Sequence, residues 1–300
     1  MGTPPSPLPV LLGAITLDQI IGEPPVSVHP VVAIGWVADQ VERFIMRPDE
    51  PLPLPVLRGG LGWIAGLSVC TTAGYMVAKA PRAVQAIALW TLFSHKMLVD
   101  EVSAVEEALD DDVQAGRDRV AMLVSRDTSA LTPAQVRGAA IESLAENLSD
   151  SVTAPLFWWA IGGIPAASAY RWINTADARF GYRDSRWEYL GKVAARMDDL
   201  ANVIPARLTG LILAQGWRLI AKARPDISAT PSPNAGWPMA VMAHYLDTRL
   251  EKVGVYTLNA SGHEPAQGDI RKAVKRVQLG GAMIGVVTGA LAYWRSRACR

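Results

Sequence analysis

An all-α, polytopic integral membrane protein, with polar helices and loops forming a pocket at the membrane face, is the fold class this sequence predicts. Three observations predict it. The twenty residues 59–78 carry no charge, and a helix of that length at ~1.5 Å rise per residue reaches ~30 Å, the hydrocarbon thickness of a bilayer. A second uncharged run, residues 151–170, lies between segments dense in Glu, Asp, Asn and Arg. Apolar residues make up 50% of the chain and charged ones 19%, below the usual quarter, and ten Trp suit a chain that meets membrane interfaces.

The first apolar segment, residues 10–21, contains Asp18, follows an N-terminus without basic residues and lacks a cleavage site. It reads as a membrane or interfacial helix rather than a removed signal peptide. Residues 47–55 form a Pro-rich loop, because Pro fixes φ and removes a donor. Residues 59–78 and 83–94 are helices joined by the short turn at 79–82. Residues 151–170 carry Gly162, Gly163 and Pro165 at their middle. Two half-helices therefore fit better than one straight span, and a re-entrant hairpin would return the chain to its starting face. Residues 203–217 are apolar but carry Arg207, whose insertion costs roughly 2.5–3.5 kcal/mol at a helix centre, so this Arg is expected to face a polar cavity. A second Pro-rich loop covers residues 224–238, and the uncharged residues 277–294 form the last helix. Neither loop looks like an interdomain linker, so the chain is read as one membrane-embedded domain, 1–300. Basic residues occupy all loops, and the positive-inside rule leaves sidedness open.

Three polar segments carry chemistry. In residues 140–153, Ser143, Glu146, Asn147 and Asp150 share an arc of about 100° on a helical wheel, with Glu142 at its edge and Ile141, Leu144 and Leu148 opposite. A solvated face would explain this pattern too. The stripe, however, runs directly into an uncharged segment where unpaired carboxylates are expensive, and carboxylates with an amide oxygen suit Mg²⁺. In residues 194–207, Asp198, Asp199 and Asn202 cover one arc, with Arg196 beyond it and Arg207 also, provided Pro205 does not bend the helix. Plain salt bridging is one reading; an oxygen site beside phosphate-holding arginines is the other. In residues 170–189, Arg171 and Asn174 share a face next to Asp177, and arginines alternate with aromatics. That suits a large anionic ligand or an interface belt.

Other classes are disfavoured. A net charge of +1 and apolar flanks argue against nucleic acid. Cys70 and Cys299 form no metal spacing or disulfide framework. His29 sits in a turn-like segment before a helix, His95 closes the third apolar helix, His244 and His263 have no partner at ligand spacing, and no HExxH, GxSxG, Walker A or GxGxxG motif occurs.

These residues carry a resemblance. The stretches LDQIIGEPPVSVHPVVAIGWV (17–37), LVSRDTSALT (123–132), the segment 139–213 beginning AAIESLAENLSDSVTAPLFWW, and SPNAGWPMAVMAHYLDTRLEKVGVYTLN (232–259) are similar to the CobD/CbiB family, the adenosylcobinamide-phosphate synthases. The resemblance implies a multi-pass protein of the cytoplasmic membrane. It also implies amide formation between adenosylcobyric acid and aminopropanol phosphate, or free aminopropanol, with Mg²⁺ and with ATP as cosubstrate. On that footing Glu142, Glu146, Asp150 and Asp198 are the expected metal ligands. Glu146, Asp177 and Asp198 are the expected catalytic residues, with Asp177 or Asp198 taking the ammonium proton. Asn147, Arg171, Asn174, Arg183, Arg196, Asn202 and Arg207 are expected to bind phosphate or corrinoid carboxylates, and Asp127 is a further candidate. The expected partners are the corrinoid, the amino alcohol phosphate and the bilayer, with a homo-oligomer left open. Two rivals are another intramembrane Mg²⁺-dependent transferase, of which Asp198-Asp199-Leu200-Ala201-Asn202 is a partial echo, and a non-catalytic corrinoid carrier.

Overall fold

The computed structural model describes residues 6–25, 29–46, 52–181 and 186–298. In chain order its helices are α1 (Leu8–Ile21), α2 (Pro30–Ile45), α3 (Leu54–Ala78), α4 (Arg82–Trp90), α5 (His95–Asp111), α6 (Val113–Ala121) and α7 (Pro133–Asn147). A π-helical turn, Leu148–Thr153, then leads into α8 (Ala154–Phe180), α9 (Lys192–Ala201), α10 (Val203–Ala214), α11 (Trp217–Ala223) and α12 (Gly236–Leu246). A short hairpin, β1 (Leu250–Lys252) and β2 (Tyr256–Leu258), precedes α13 (Asp269–Ala298). The all-α expectation holds apart from that hairpin.

The chain gathers into two compact units. The first draws on Met1–Ser94, Ala154–Asn202 and Gly285–Arg300, the second on His95–Thr153 and Val203–Ile284.

In the first unit α3 packs against α2, α8 and α9. Its buried face is Gly59, Gly62, Trp63, Gly66, Cys70 and Gly74, spaced three to four residues apart. Small residues there admit Trp172 of α8, which is fully buried and donates its indole N–H to Trp63 O at 3.0 Å. A Cβ at Gly66 would stand 2.0 Å from the Trp172 ring. We expect Gly66→Ala to destabilise the protein by about 1–3 kcal/mol through overpacking. Gly60→Ala, whose Cβ would meet Val193 at an ordinary 3.5 Å, should be neutral or stabilising. Thermal unfolding in detergent separates the two.

Among the described residues two helices are long and apolar enough to cross a membrane, α3 and α13. Only 28% of the apolar window of α3 and 39% of that of α13 is buried inside the protein. Leu57, Leu61, Ile64, Val69 and Met76 of α3 are exposed. A core helix of a water-soluble protein would cover that side. Two of the other apolar stretches form shorter helices than expected, whereas 10–21 is helical throughout, within α1. Residues 83–94 are not one helix, since α4 ends at Trp90, and residues 203–217 break where Gln215 takes a left-handed conformation, at φ 51°. The break expected in residues 151–170 is present: Gly163 leaves helical geometry, at φ 71° and ψ −161°, two residues before Pro165.

The second unit is organised around α7. A capping box starts this helix, with Thr132 Oγ1 accepting from Gln135 N and the Gln135 side chain accepting from Thr132 N. It is buried from Val136 to Ala145 apart from Arg137 and packs on α5, α6, α12 and β1. Arg137 holds Glu106 of α5 at 2.8 Å. The hairpin pairs Lys252 with Tyr256, so both side chains leave its turn end on one face.

Candidate functional site

Among the described residues each unit holds a cluster of carboxylates raised by burial. In the first, Tyr170, Asn174 and Asp177 recur at helical spacing on α8, and Asp198 and Asn202 lie one turn apart at the end of α9. The Tyr170 hydroxyl donates to Asn202 Oδ1 at 2.9 Å, and Asn202 Nδ2 donates to Asp198 Oδ2 at 3.0 Å. Asp198 Oδ1 is buried without a hydrogen-bond partner. Burial, then the neighbouring Asp177 charge, pushes the Asp198 carboxyl up to about 7, against hydrogen bonds from Asn202 and Asn174. Burial and Asp199 raise Asp177 as well. Beside this cluster lies a pocket of about 300 Å³, lined by Lys192, Arg196, Asp199 and Glu188. Carboxylates beside two cations can bind a cation and a phosphate together.

In the second unit, Glu142, Ser143, Glu146 and Asn147 of α7 line a pocket of about 140 Å³ with Arg126, Lys252 and Tyr256. Arg126 Nη2 donates to Glu142 Oε2 at 2.6 Å. Glu142 is 4% exposed, and its Oε1 has no hydrogen-bond partner. Burial raises both carboxyls. Arg126 and the Tyr256 hydroxyl oppose the shift at Glu142, whereas the Glu142 charge adds to it at Glu146 and Lys252 opposes it. The Tyr256 hydroxyl is itself raised, first by burial and then by Glu142 and Glu146. Asn147 turns back on its own helix, donating to Ser143 O at 3.0 Å and Ser143 Oγ at 3.2 Å.

The structure rearranges several expected positions. Asp150 lies in the π-helical turn, past the end of α7, so the wheel that put it in phase with Glu146 stops applying at Asn147. It does not line the Glu142 pocket. Asp198 and Arg207 do not share a helix, because α9 ends at Ala201 and α10 begins at Val203. Arg207 Nη1 instead donates to Val203 O at 2.7 Å and Asn234 Oδ1 at 3.0 Å, with its guanidinium over the Trp237 ring. Arg171 is half-buried on α8, and Arg196 is exposed at the wall of the larger pocket. Arg183 lies outside the described residues. Asp127 is a surface turn residue that accepts from Ser129 N at 2.9 Å, and that bond lowers its pKa. His29 caps α2 and pairs with Glu23, and His244 pairs with Asp226 at 2.7 Å.

Several site residues were not singled out from the sequence, Lys192 and Glu188 of the larger pocket among them. Arg126 stands beside the chosen Asp127, and Tyr170 precedes Asn174 by one turn, so both were within reach of a spacing argument. Lys252 and Tyr256 reach the pocket only through strand pairing, which the residues KVGVY do not announce.

A family model, CobD/Cbib protein, matches residues 11–283. The chain belongs to the CobD/CbiB family. It is 38% identical to a protein of Methanothermobacter thermautotrophicus named probable cobalamin biosynthesis protein CobD, over 96% of this chain and 97% of that one. It is 38% identical to the cobalamin biosynthesis protein CobD of Brucella suis, over 86% and 88% of the two chains. A Thermococcus kodakarensis protein named probable cobalamin biosynthesis protein CobD is 40% identical, over 89% and 90%. No solved structure matches. Every residue of the two centres falls inside the CobD/CbiB match.

The two centres of this CobD/CbiB member differ in their fitness for Mg²⁺. Among the described residues no group of three or more His, Cys, Asp or Glu side chains is placed to hold a metal ion. Mg²⁺ needs fewer, since one or two carboxylates with phosphate oxygens and waters complete its shell. The Asp198 centre fits that requirement through its buried Oδ1, which has no hydrogen-bond partner. The Glu142 pocket fits it poorly, because Arg126 and Lys252 already face its carboxylates and would repel a divalent cation.

Proposed function

We propose that this chain forms an amide bond in cobalamin biosynthesis. It joins an amino alcohol, free or phosphorylated, to the carboxylate of adenosylcobyric acid. The observation that carries the proposal is the pair of buried carboxylate centres, each with an unsatisfied oxygen, inside the segment matched by the CobD/CbiB family. The names of the three relatives support the pathway. The uncovered apolar sides of α3 and α13 support a multi-pass protein of the cell membrane.

A carboxylate is a poor electrophile. The proposed route phosphorylates it with ATP, releasing ADP, and the amine then displaces phosphate to leave the amide. Mg²⁺ would neutralise phosphate charge in this chemistry. Asp198 would hold it through its buried Oδ1, with phosphate oxygens and waters completing the shell, while Asn174 and Asn202 orient the Asp198 carboxylate. Lys192 and Arg196 meet phosphate oxygens at the wall of the larger pocket. Glu146 takes the ammonium proton, since a carboxylate whose pKa is raised by burial is the stronger base.

Purified protein in detergent, given adenosylcobyric acid, aminopropanol or its phosphate, ATP and Mg²⁺, should release one ADP and one phosphate per amide formed. Corrinoid that binds tightly and is never converted, with both amines tried, would overturn the proposal in favour of a carrier.

A further inference from the structure

The pocket under the hairpin has features that metal binding does not explain. Two carboxylates point into about 140 Å³, and one of their oxygens, Glu142 Oε1, is buried and unpartnered. The Arg126 guanidinium is spent on Glu142 Oε2. The space beside the carboxylates, about 140 Å³, suits the amino end of a small ligand. Lys252 and Tyr256 line the same pocket, yet Glu142 Oε1 is left without a hydrogen-bond partner, and a small donor there would also reach Glu146. A primary ammonium has three N–H donors on one atom and suits that need; an alcohol has one.

We infer that this pocket holds the amino alcohol by its amino end, with the ammonium between Glu142 Oε1 and Glu146. Lys252, paired across the hairpin with Tyr256, meets the anionic end when the amino alcohol is phosphorylated. Arg126 aims the Glu142 carboxyl through its bond to Oε2, and acts as a positioning residue. The inference rests on the amide-forming reading and refines it, because it separates the amine site from the Asp198 centre. It also sets the specificity. A short aliphatic amine satisfies both carboxylates, while its des-amino analogue leaves them buried and unpaired.

The test is calorimetric titration of the full chain in detergent with 1-amino-2-propanol phosphate, with the free amine and with the des-amino phosphate, in the absence of corrinoid. Wild type should bind both amines and reject the des-amino compound. Glu146→Gln should weaken both amines by about tenfold or more, as expected for loss of a hydrogen bond to a charged group. Glu146→Asp should recover part of the affinity, which a folding defect would not allow. Lys252→Met should weaken the phosphorylated amine alone. In turnover, Glu146→Gln should raise the KM for the amine and leave that for the corrinoid unchanged. Unaltered amine affinity in both Glu146→Gln and Lys252→Met would overturn the inference even if wild type turns over. Amine binding that depends on Glu146 in a protein that makes no amide would keep the pocket and overturn the amide-forming reading instead.

Discussion

Asp198→Asn is expected to lower amide formation by about 10²–10³-fold, the effect of removing a preorganised charge partner from a reacting phosphoryl group, while making the metal-free protein more stable at neutral pH. The Asn side chain keeps the size and the bond to Asn202 and removes the charge. Burial and the Asp177 charge push the Asp198 carboxyl up to about 7 in the folded protein, against an ordinary 3.8 in the unfolded chain. Between those two values the folded state holds more protons than the unfolded one. The contribution of Asp198 to stability is therefore complete below about pH 4 and is lost as pH rises through about 7, a change on the order of a few kcal/mol. Thermal unfolding in EDTA should show the wild-type Tm falling across that window more steeply than the Tm of Asp198→Asn. Added Mg²⁺ with phosphate should raise the wild-type Tm and leave the variant unmoved. Equal pH slopes for the two proteins would mean that Asp198 is solvated and unstrained.

Arg126→Met should produce the largest loss of stability, about 3–5 kcal/mol, because it strands the buried Glu142 carboxylate. Arg126 Nη2 lies 2.6 Å from Glu142 Oε2, and the Glu142 side chain is 6% exposed. Without the guanidinium, burial is left to push the Glu142 carboxyl further up, and at neutral pH either the charge or its neutralisation costs free energy. The double variant Arg126→Met/Glu142→Gln should regain most of the loss, since a neutral amide needs no counter-charge. Denaturant titration followed by Trp fluorescence reads both. A single variant as stable as wild type, or a double variant no better than the single, would show that the pair is not energetically coupled.

Much of this arrangement was legible in the residues, and the failures have physical causes. The long apolar helix α3 and the apolar part of α13 follow from uncharged runs, and the break at Gly163 follows from Gly-Gly-Ile-Pro. Asp198 and Asn202 were placed together correctly because α9 keeps its 3.6-residue period across them. The same period misplaced Asp150, because a π-helical turn advances about 4.4 residues per turn and shifts everything after Asn147. It misplaced Arg207 because the chain starts a new helix at Val203. Lys252 and Tyr256 stayed hidden because a three-residue strand pair leaves almost no periodic signal, and the turn Val253-Gly254-Val255 reads as apolar filler. The acidic stripe on α7 was visible, but its counter-charges come from elsewhere in the sequence. A stripe read as a solvated face or as a metal or substrate site is a mixed-charge pocket once Arg126 and Lys252 are in place.

The division between a metal centre at Asp198 and an amine pocket at Glu146 is tested most directly by Mn²⁺ substitution. The free-ion paramagnetic signal is titrated with the purified chain and a non-hydrolysable ATP analogue. One bound Mn²⁺ per chain is expected for wild type and for Glu146→Gln, and none for Asp198→Asn. Binding that survives Asp198→Asn and disappears in Glu146→Gln would place the ion on α7 and contradict the assignment.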